Sequence, residues 1–418
     1  MSIALAVRSA VPPIPAGTIA RPRLEAALDA GREGAFTLVG ASPGWGKTVL
    51  LSGWAAERGA AWLQLSARHT DARRLWSDVC EALGHAEIAL GDDVPLRLAD
   101  ALTSAGERPT LVLDDLDLLR GPALASLGDL LLHGGDALHL VAATRSDPAL
   151  PLERLRLPGR LFELRAADLA FTLPEATALL AELGLSLRPE LVARLLERTE
   201  GWAAGLRLAG LSLRGEADPD AFVAEFAGDD RAVADYLTGE VLAGQPPAVR
   251  DLLLRTSIAG RICGGLADAL TGGSDGALML EQLERSGTFV GPLDRHRTWF
   301  RYHGLFAELL RARLRLEHPG LEPELHARAA EWLAGEGLGR EAMPHALAAG
   351  GPPSAATLVA DHWLELLLDG ASPAAVIDVA ERGGDDARLA VSAASAALTL
   401  GDRATPHKRG MPVPGGGP

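Results

Sequence analysis

One run of nine residues constrains this chain most: Gly40-Ala-Ser-Pro-Gly-Trp-Gly-Lys-Thr48, lying between an apolar run at 36–39 and a helical pattern at 49–56. Strand, glycine-rich loop and helix in that order form a phosphate-binding loop. Small residues let successive backbone N–H groups turn inward around an anion, and the following helix presents its positive N-terminus to the same point. Lys47 then reaches the terminal phosphates, and the Thr48 hydroxyl takes a place on Mg2+. Ser42, Pro43, Gly44, Trp45, Gly46 and Val49 complete the expected lining. Ala41 stands where the strict pattern has its first glycine, a tolerable change because the backbone donors lie later in the loop. The alternative, a glycine-rich turn followed by a chance Lys-Thr, is poor, because Lys47 is the sole lysine before Lys408.

Four further short apolar runs, at 61–65, 110–113, 139–143 and 161–164, alternate with helix-length segments. That alternation predicts a parallel sheet with helices on both faces, an α/β P-loop NTPase domain over 20–172. Its third strand ends in acids, Thr110-Leu-Val-Leu-Asp-Asp-Leu-Asp117. Asp114 would hold Mg2+ through water and Asp115 would orient or deprotonate an attacking water. The competing reading is a strand followed by a solvated acidic turn. The fourth strand runs out at Ala142-Ala-Thr-Arg145, which places Arg145 where an arginine can sense a γ-phosphate, unless it is simply a solvated loop residue.

Before the sheet, residues 1–19 form a lead-in, 12–23 are proline-rich and 24–30 read as a short helix. Beyond it, Thr172-Leu-Pro-Glu175 has the form of a capping box and opens an all-α lid expected over 173–228. Three helices and a hairpin, from the alternating stretches 288–293 and 298–302, outline a winged-helix domain over 229–319. Ala/Leu-rich helices at 320–403, broken near 335–339, 350–353, 370–373 and 383–384, look like the start of a TPR-like repeat array. Residues 404–418 carry no periodic pattern and are expected to be disordered.

The length of 418 residues allows about three domains. At 48% hydrophobic and 23% charged residues, the chain has the composition of globular protein. A net charge of −15 repels a phosphate backbone, which argues against general nucleic-acid binding. Cys80 and Cys263 lack metal-ligand spacing and read as buried, inert thiols in a reducing compartment. No window approaches the ~18 apolar residues of a membrane span, and the first residues are too weakly apolar for a signal peptide, so the cytoplasm is the expected location and no membrane partner is expected.

In order, these motifs resemble the MalT-type, LuxR-family large ATP-binding transcriptional regulators, a branch of the STAND ATPases. The resemblance covers about 12–400. It takes in Ile19-Ala-Arg-Pro-Arg-Leu24, Ala61-Trp-Leu-Gln-Leu65, Leu140-Val-Ala-Ala-Thr-Arg-Ser-Asp-Pro148 and Glu163-Leu-Arg-Ala-Ala-Asp-Leu-Ala-Phe171. It continues through Glu200-Gly-Trp202, Asp235-Tyr-Leu-Thr-Gly-Glu-Val-Leu242 and Arg301-Tyr-His-Gly-Leu-Phe306. It implies a switch in which ADP holds an inactive monomer and ATP with an inducer opens it into a homo-oligomer. By the same analogy Arg21 and Trp202 lie near the base, and His303 touches the ADP phosphates. Arg21 as a cap of its own segment, Trp202 as lid core and His303 as a satisfied core histidine are the plainer alternatives. Ala203 stands where the family usually has proline, and Asp117 where it commonly has histidine. Members of the family continue to a C-terminal helix-turn-helix, so the resemblance implies a chain truncated before it, without direct DNA binding.

The leading expectation is a regulatory ATP/ADP switch with slow Mg2+-dependent hydrolysis controlling self-association. A nucleotide-stabilised scaffold whose helical repeats hold a protein partner is the alternative. A turnover kinase or motor is less favoured, since no acceptor site or acid/base pair is visible.

Overall fold

The computed structural model describes residues 9–91, 93–368, 372–384 and 386–399. The tail at 404–418 lies outside them. The chain divides into two units: 1–244 with 282–291 and 303–306, and 245–281 with 292–302 and 307–418.

In the first unit Pro22, whose fixed φ suits a first helical turn, opens α1 (Pro22–Gly31) two residues before the helical pattern suggests. The sheet is built from β1 (Phe36–Gly40), β2 (Ala61–Gln64), β3 (Thr110–Asp114), β4 (His139–Thr144) and β5 (Leu161–Arg165). Its order is β2-β3-β4-β1-β5, with every pair parallel. β1, β3 and β4 are buried along their whole length, which is why they read as unbroken apolar runs. The edge strand β5 is mostly half-buried.

Helices α2 (Lys47–Arg58), α3 (Ala72–Ala82), α4 (Val94–Ala105) and α5 (Gly121–His133) alternate with the strands. Leu75 and Val79 of α3, Leu98 of α4 and Leu127 of α5 join Phe36, Leu38, Leu111, Leu113 and Leu140 in one core. Each such buried side chain contributes about 1.5–3 kcal/mol, so this core anchors the strand ends that carry the chemistry. Gly40 pairs with Thr144 and Gln64 with Asp114, so β1 to β4 finish at one edge. In an open parallel sheet that edge is where ligands bind.

After the short helices α6 (Leu152–Arg156) and α7 (Ala166–Leu169), the chain turns helical. The Thr172 N–H donates to Glu175 Oε2 at 2.9 Å and the Glu175 N–H returns to Thr172 Oγ1 at 3.5 Å, a capping box that starts α8 (Leu173–Glu182). Then follow α9 (Pro189–Thr199), α10 (Ala203–Leu213), α11 (Pro219–Glu225) and α12 (Arg231–Leu237), the last continuing as a π turn over Thr238–Leu242.

The second unit contains α13 (Pro247–Thr256), α14 (Gly264–Thr271) and the start of α15 (Gly276–Arg285). The wing strands are β6 (Val290–Pro292) and β7 (Phe300–Tyr302), and the turn between them is closed by the Leu293 N–H on Trp299 O at 2.7 Å. Strand structure starts later than the alternation at 288–293 suggests. Phe289 sits at φ +51 and its N–H faces Ser42 Oγ at 3.4 Å rather than a strand. From α16 (Gly304–Glu317) on, helices alone follow among the described residues: α17 (Leu321–Gly335), α18 (Gly339–Gly350), α19 (Pro352–Leu368), α20 (Pro373–Arg382) and α21 (Ala387–Thr399). Small and β-branched residues, among them Ala355, Val359, Val376, Val379 and Ala396, form their shared core.

Candidate nucleotide site

Loop 41–46 leaves β1 and enters α2 through two left-handed glycines, Gly44 at φ +80 and Gly46 at φ +82. Gly44 has no space for a side chain either, because a Cβ there would lie 2.7 Å from Trp202 Nε1 and 2.9 Å from Tyr236 Oη. The lid holds the loop directly: the Trp202 indole N–H donates to Pro43 O at 3.0 Å, and the Ala204 N–H donates to Gly44 O at 2.9 Å. Lys47 bends back over the loop and donates to Ala41 O at 2.6 Å and Ser42 O at 3.0 Å. Burial first, and the charge of Arg145 second, lower its amine to about 8. A half-buried cation hydrogen-bonded to loop carbonyls is chemically suited to an anion at that point.

At the end of β3 the Thr48 hydroxyl donates to the Asp114 carboxylate, 2.9 Å from Oδ2. Burial, then the neighbouring Asp115 charge, raise Asp114 to about 6. A hydroxyl beside a buried carboxylate is an oxygen donor set for a hard divalent cation, which would relieve the same charge that raises the carboxyl. Asp115 occupies left-handed backbone at φ +60 and accepts from Gln64 Nε2 at 2.6 Å. Burial and then Asp117 raise it as well. Asp117 Oδ1 accepts from the Arg145 N–H at 2.9 Å, and the Arg145 side chain reaches Glu240 Oε2 at 3.3 Å.

Beside the loop lies a cavity of about 400 Å3, lined by Ile19, Arg21, Gly46, Val49, Phe171 and Ala203 among others. That volume falls in the ~300–1,000 Å3 range of small-molecule sites. The Arg21 guanidinium lies over the Phe171 ring at 4.1 Å and donates to Leu169 O, Ala170 O and Glu175 Oε2, while its buried Nε has no partner among the described residues. Trp202 and His303 are not among the residues lining this cavity. Trp202 is fully buried, its ring edge-on to Phe289 at 5.2 Å and Tyr236 at 5.5 Å. His303 Nε2 lies 3.0 Å from Thr199 O, with its ring 6.4 Å from that of Trp45. The buried Trp45 indole N–H has no partner among the described residues.

The fold therefore gathers Lys47, Thr48, Asp114, Asp115 and Arg145 at one sheet edge and sets Arg21 in the adjoining cavity. Gln64, Tyr236, Glu240 and Phe289 were not singled out by sequence reasoning. Each lies within a stretch already quoted, 61–65, 235–242 or 288–293, and the four-residue spacing of Tyr236 and Glu240 is a further signal for that pair.

Comparison with known proteins adds what the chain is similar to. The family model described as MalT winged helix domain matches residues 238–322. The serine/threonine-protein kinase PknK of Mycobacterium tuberculosis is 36% identical over 371 residues, 83% of this chain and 33% of PknK. The HTH-type transcriptional regulator MalT of Klebsiella pneumoniae is 32% identical over 354 residues, 80% of this chain and 39% of that protein. Among solved structures, the Walker-type ATPase PABY2304 of Pyrococcus abyssi matches with a TM-score of 0.51 at 16% identity, over 70% of this chain and 96% of that one. Sheet, loop and structural likeness define a P-loop ATPase fold carrying a winged helix domain. Over four fifths of its length the chain is similar to the MalT regulator, and more particularly its residues 238–322 match the MalT winged helix domain. The chain spans about a third of the length of the curated relatives it matches. Among the described residues no helix is long and apolar enough to cross a membrane.

Proposed function

We propose that this chain is the ATP/ADP-responsive module of a MalT-like transcriptional regulator. The observation that carries the reading is the constellation of Lys47 on its own loop carbonyls, Thr48 on Asp114 and a lid bonded to Pro43 and Gly44. Lys47, the loop N–H groups and the α2 N-terminus hold phosphates, the cavity beside Arg21 takes the nucleoside, and Thr48 with Asp114 holds Mg2+. Bound Mg2+ neutralises phosphate charge. Asp115, pinned by Gln64, orients water, and Arg145 reads the terminal phosphate. A restrained Asp115 fits slow hydrolysis, with the nucleotide state controlling self-association.

Denaturing the chain purified without added nucleotide, and identifying what it releases by chromatography, tests this reading. Stoichiometric ADP from the wild type and little from Lys47→Ala is the expected result. Folded wild-type protein that carries no nucleotide and binds none overturns it. A scaffold role for the helices has one observation in its favour, the exposed Leu364, Leu368 and Leu398 on α19 and α21. Partner binding that survives in folded Lys47→Ala would support it.

A further inference from the structure

The π turn that prolongs α12 brings a carboxylate to the cationic end of the site. Tyr236 and Glu240 lie one helical turn apart in the first unit. Tyr236 reaches Gly44 of the loop, and Glu240 Oε2 accepts from Arg145 Nη1 at 3.3 Å. Arg145 is tied at its backbone by Asp117, so its side chain is the part that can be redirected. Both partners of the Arg145–Glu240 pair are about half exposed, which makes a pair weak enough to open. The charges around them are Lys47, whose amine the Arg145 charge helps to lower, and the carboxylates of Asp114, Asp115 and Asp117.

Lys47 and Arg145 thus both face this edge, and Glu240 occupies Arg145. A nucleoside diphosphate draws chiefly on Lys47. A triphosphate brings further negative charge, needs Arg145, and meets the Glu240 carboxylate while that carboxylate holds the guanidinium. We propose that Glu240 is a specificity-determining residue that favours nucleoside diphosphate over triphosphate by holding Arg145. The inference rests on the nucleotide-switch reading above. It adds a residue of the π turn, inside the matched winged helix segment, as the element that biases the choice. π turns recur at functional positions of helices.

The test is the affinity of the full chain, with Mg2+, for ADP and for the β,γ-imido analogue of ATP. Glu240→Gln is expected to tighten the analogue about fivefold to tenfold and leave ADP within about twofold. Arg145→Gln, which removes the other partner, is expected to weaken the analogue relative to ADP by a similar factor. An unchanged ADP-to-analogue ratio in folded Glu240→Gln, with both ligands bound, overturns this proposal alone. Wild-type protein that binds neither ligand overturns the switch reading together with it.

Discussion

Lys47 is where pH enters the site. Its folded value of about 8 lies below the ordinary lysine value near ~10.4. Between those limits the folded, nucleotide-free chain binds fewer protons than the unfolded one, so its stability rises with pH through that window; below about pH 8 the cost of the buried charge is fully present. Phosphate reverses the preference by pairing the amine. ADP binding at about pH 8.5 is therefore expected to take up a fraction of a proton, and ADP affinity to fall as pH rises beyond about 8. Calorimetry in buffers of differing ionisation enthalpy reads the uptake directly, and zero uptake would contradict the assignment. Asp114 gives a second window. Burial and the Asp115 charge raise it to about 6, so the ionised form is penalised above about pH 6 and that cost fades as pH falls through 6 towards 4. A divalent cation requires the ionised form. Mg2+ affinity of the nucleotide-loaded chain should fall by up to about tenfold per pH unit below about 6, measured by Mg2+ titration at fixed nucleotide.

At the scale of elements, one acidic residue of the lid gathers the two arginines at the start of α1. Glu175 closes the cap of α8 and also accepts from Arg21 at 2.9 Å and Arg23 at 3.0 Å. Burial alone would raise its carboxyl, but the hydrogen bonds from Arg21, the Thr172 N–H and Arg23 outweigh that and hold it at about 2. Because this lies below the ordinary value, its contribution is fully present above about pH 4.5 and is lost as pH falls through about 2. Glu175→Gln is expected to cost about 2 kcal/mol, read from the midpoint of a urea melt at neutral pH, with a smaller difference near pH 3. The cap was legible in the sequence, since its residues lie three apart; its second role was not, since Arg21 is 154 residues away. The same division runs through the fold. Buried strands announce themselves as apolar runs, and the phosphate loop is local in the chain. The Trp202 bond to Pro43 joins residues 159 apart, and no period marks it. A tryptophan after a glycine reads equally as a platform for a base or as lid core, and only the surrounding rings of Tyr236, Phe289 and His303 show what it packs against.

At the scale of the whole molecule, the question is how the winged helix segment communicates with the phosphate end of the sheet. Part of the answer lies inside the first unit, where 282–291 and 303–306 fold with the nucleotide domain. The Asp147 N–H donates to Arg285 O at 3.0 Å, the Phe289 N–H faces Ser42 Oγ at 3.4 Å, and the Gly304 N–H donates to Glu200 Oε1 at 2.9 Å. Gly287 is the tightest point: it holds φ +64, and a Cβ there would lie 1.9 Å from Arg145 O. Backbone cannot yield that much, so Gly287→Ala must lift this segment from the Arg145 loop while every phosphate-loop residue stays unchanged. If the segment keeps nucleotide in place, the substitution should speed ADP release at least about tenfold, followed with a fluorescent ADP analogue chased by excess ADP. Gly291→Ala is the control, since a Cβ there meets nothing within 4 Å. Fast release in Gly287→Ala alone would place the latch in this contact. Equal release rates in both folded variants would mean that the lid bonds at Pro43 and Gly44 suffice to retain the nucleotide, and that the winged helix segment reports on the site without guarding it.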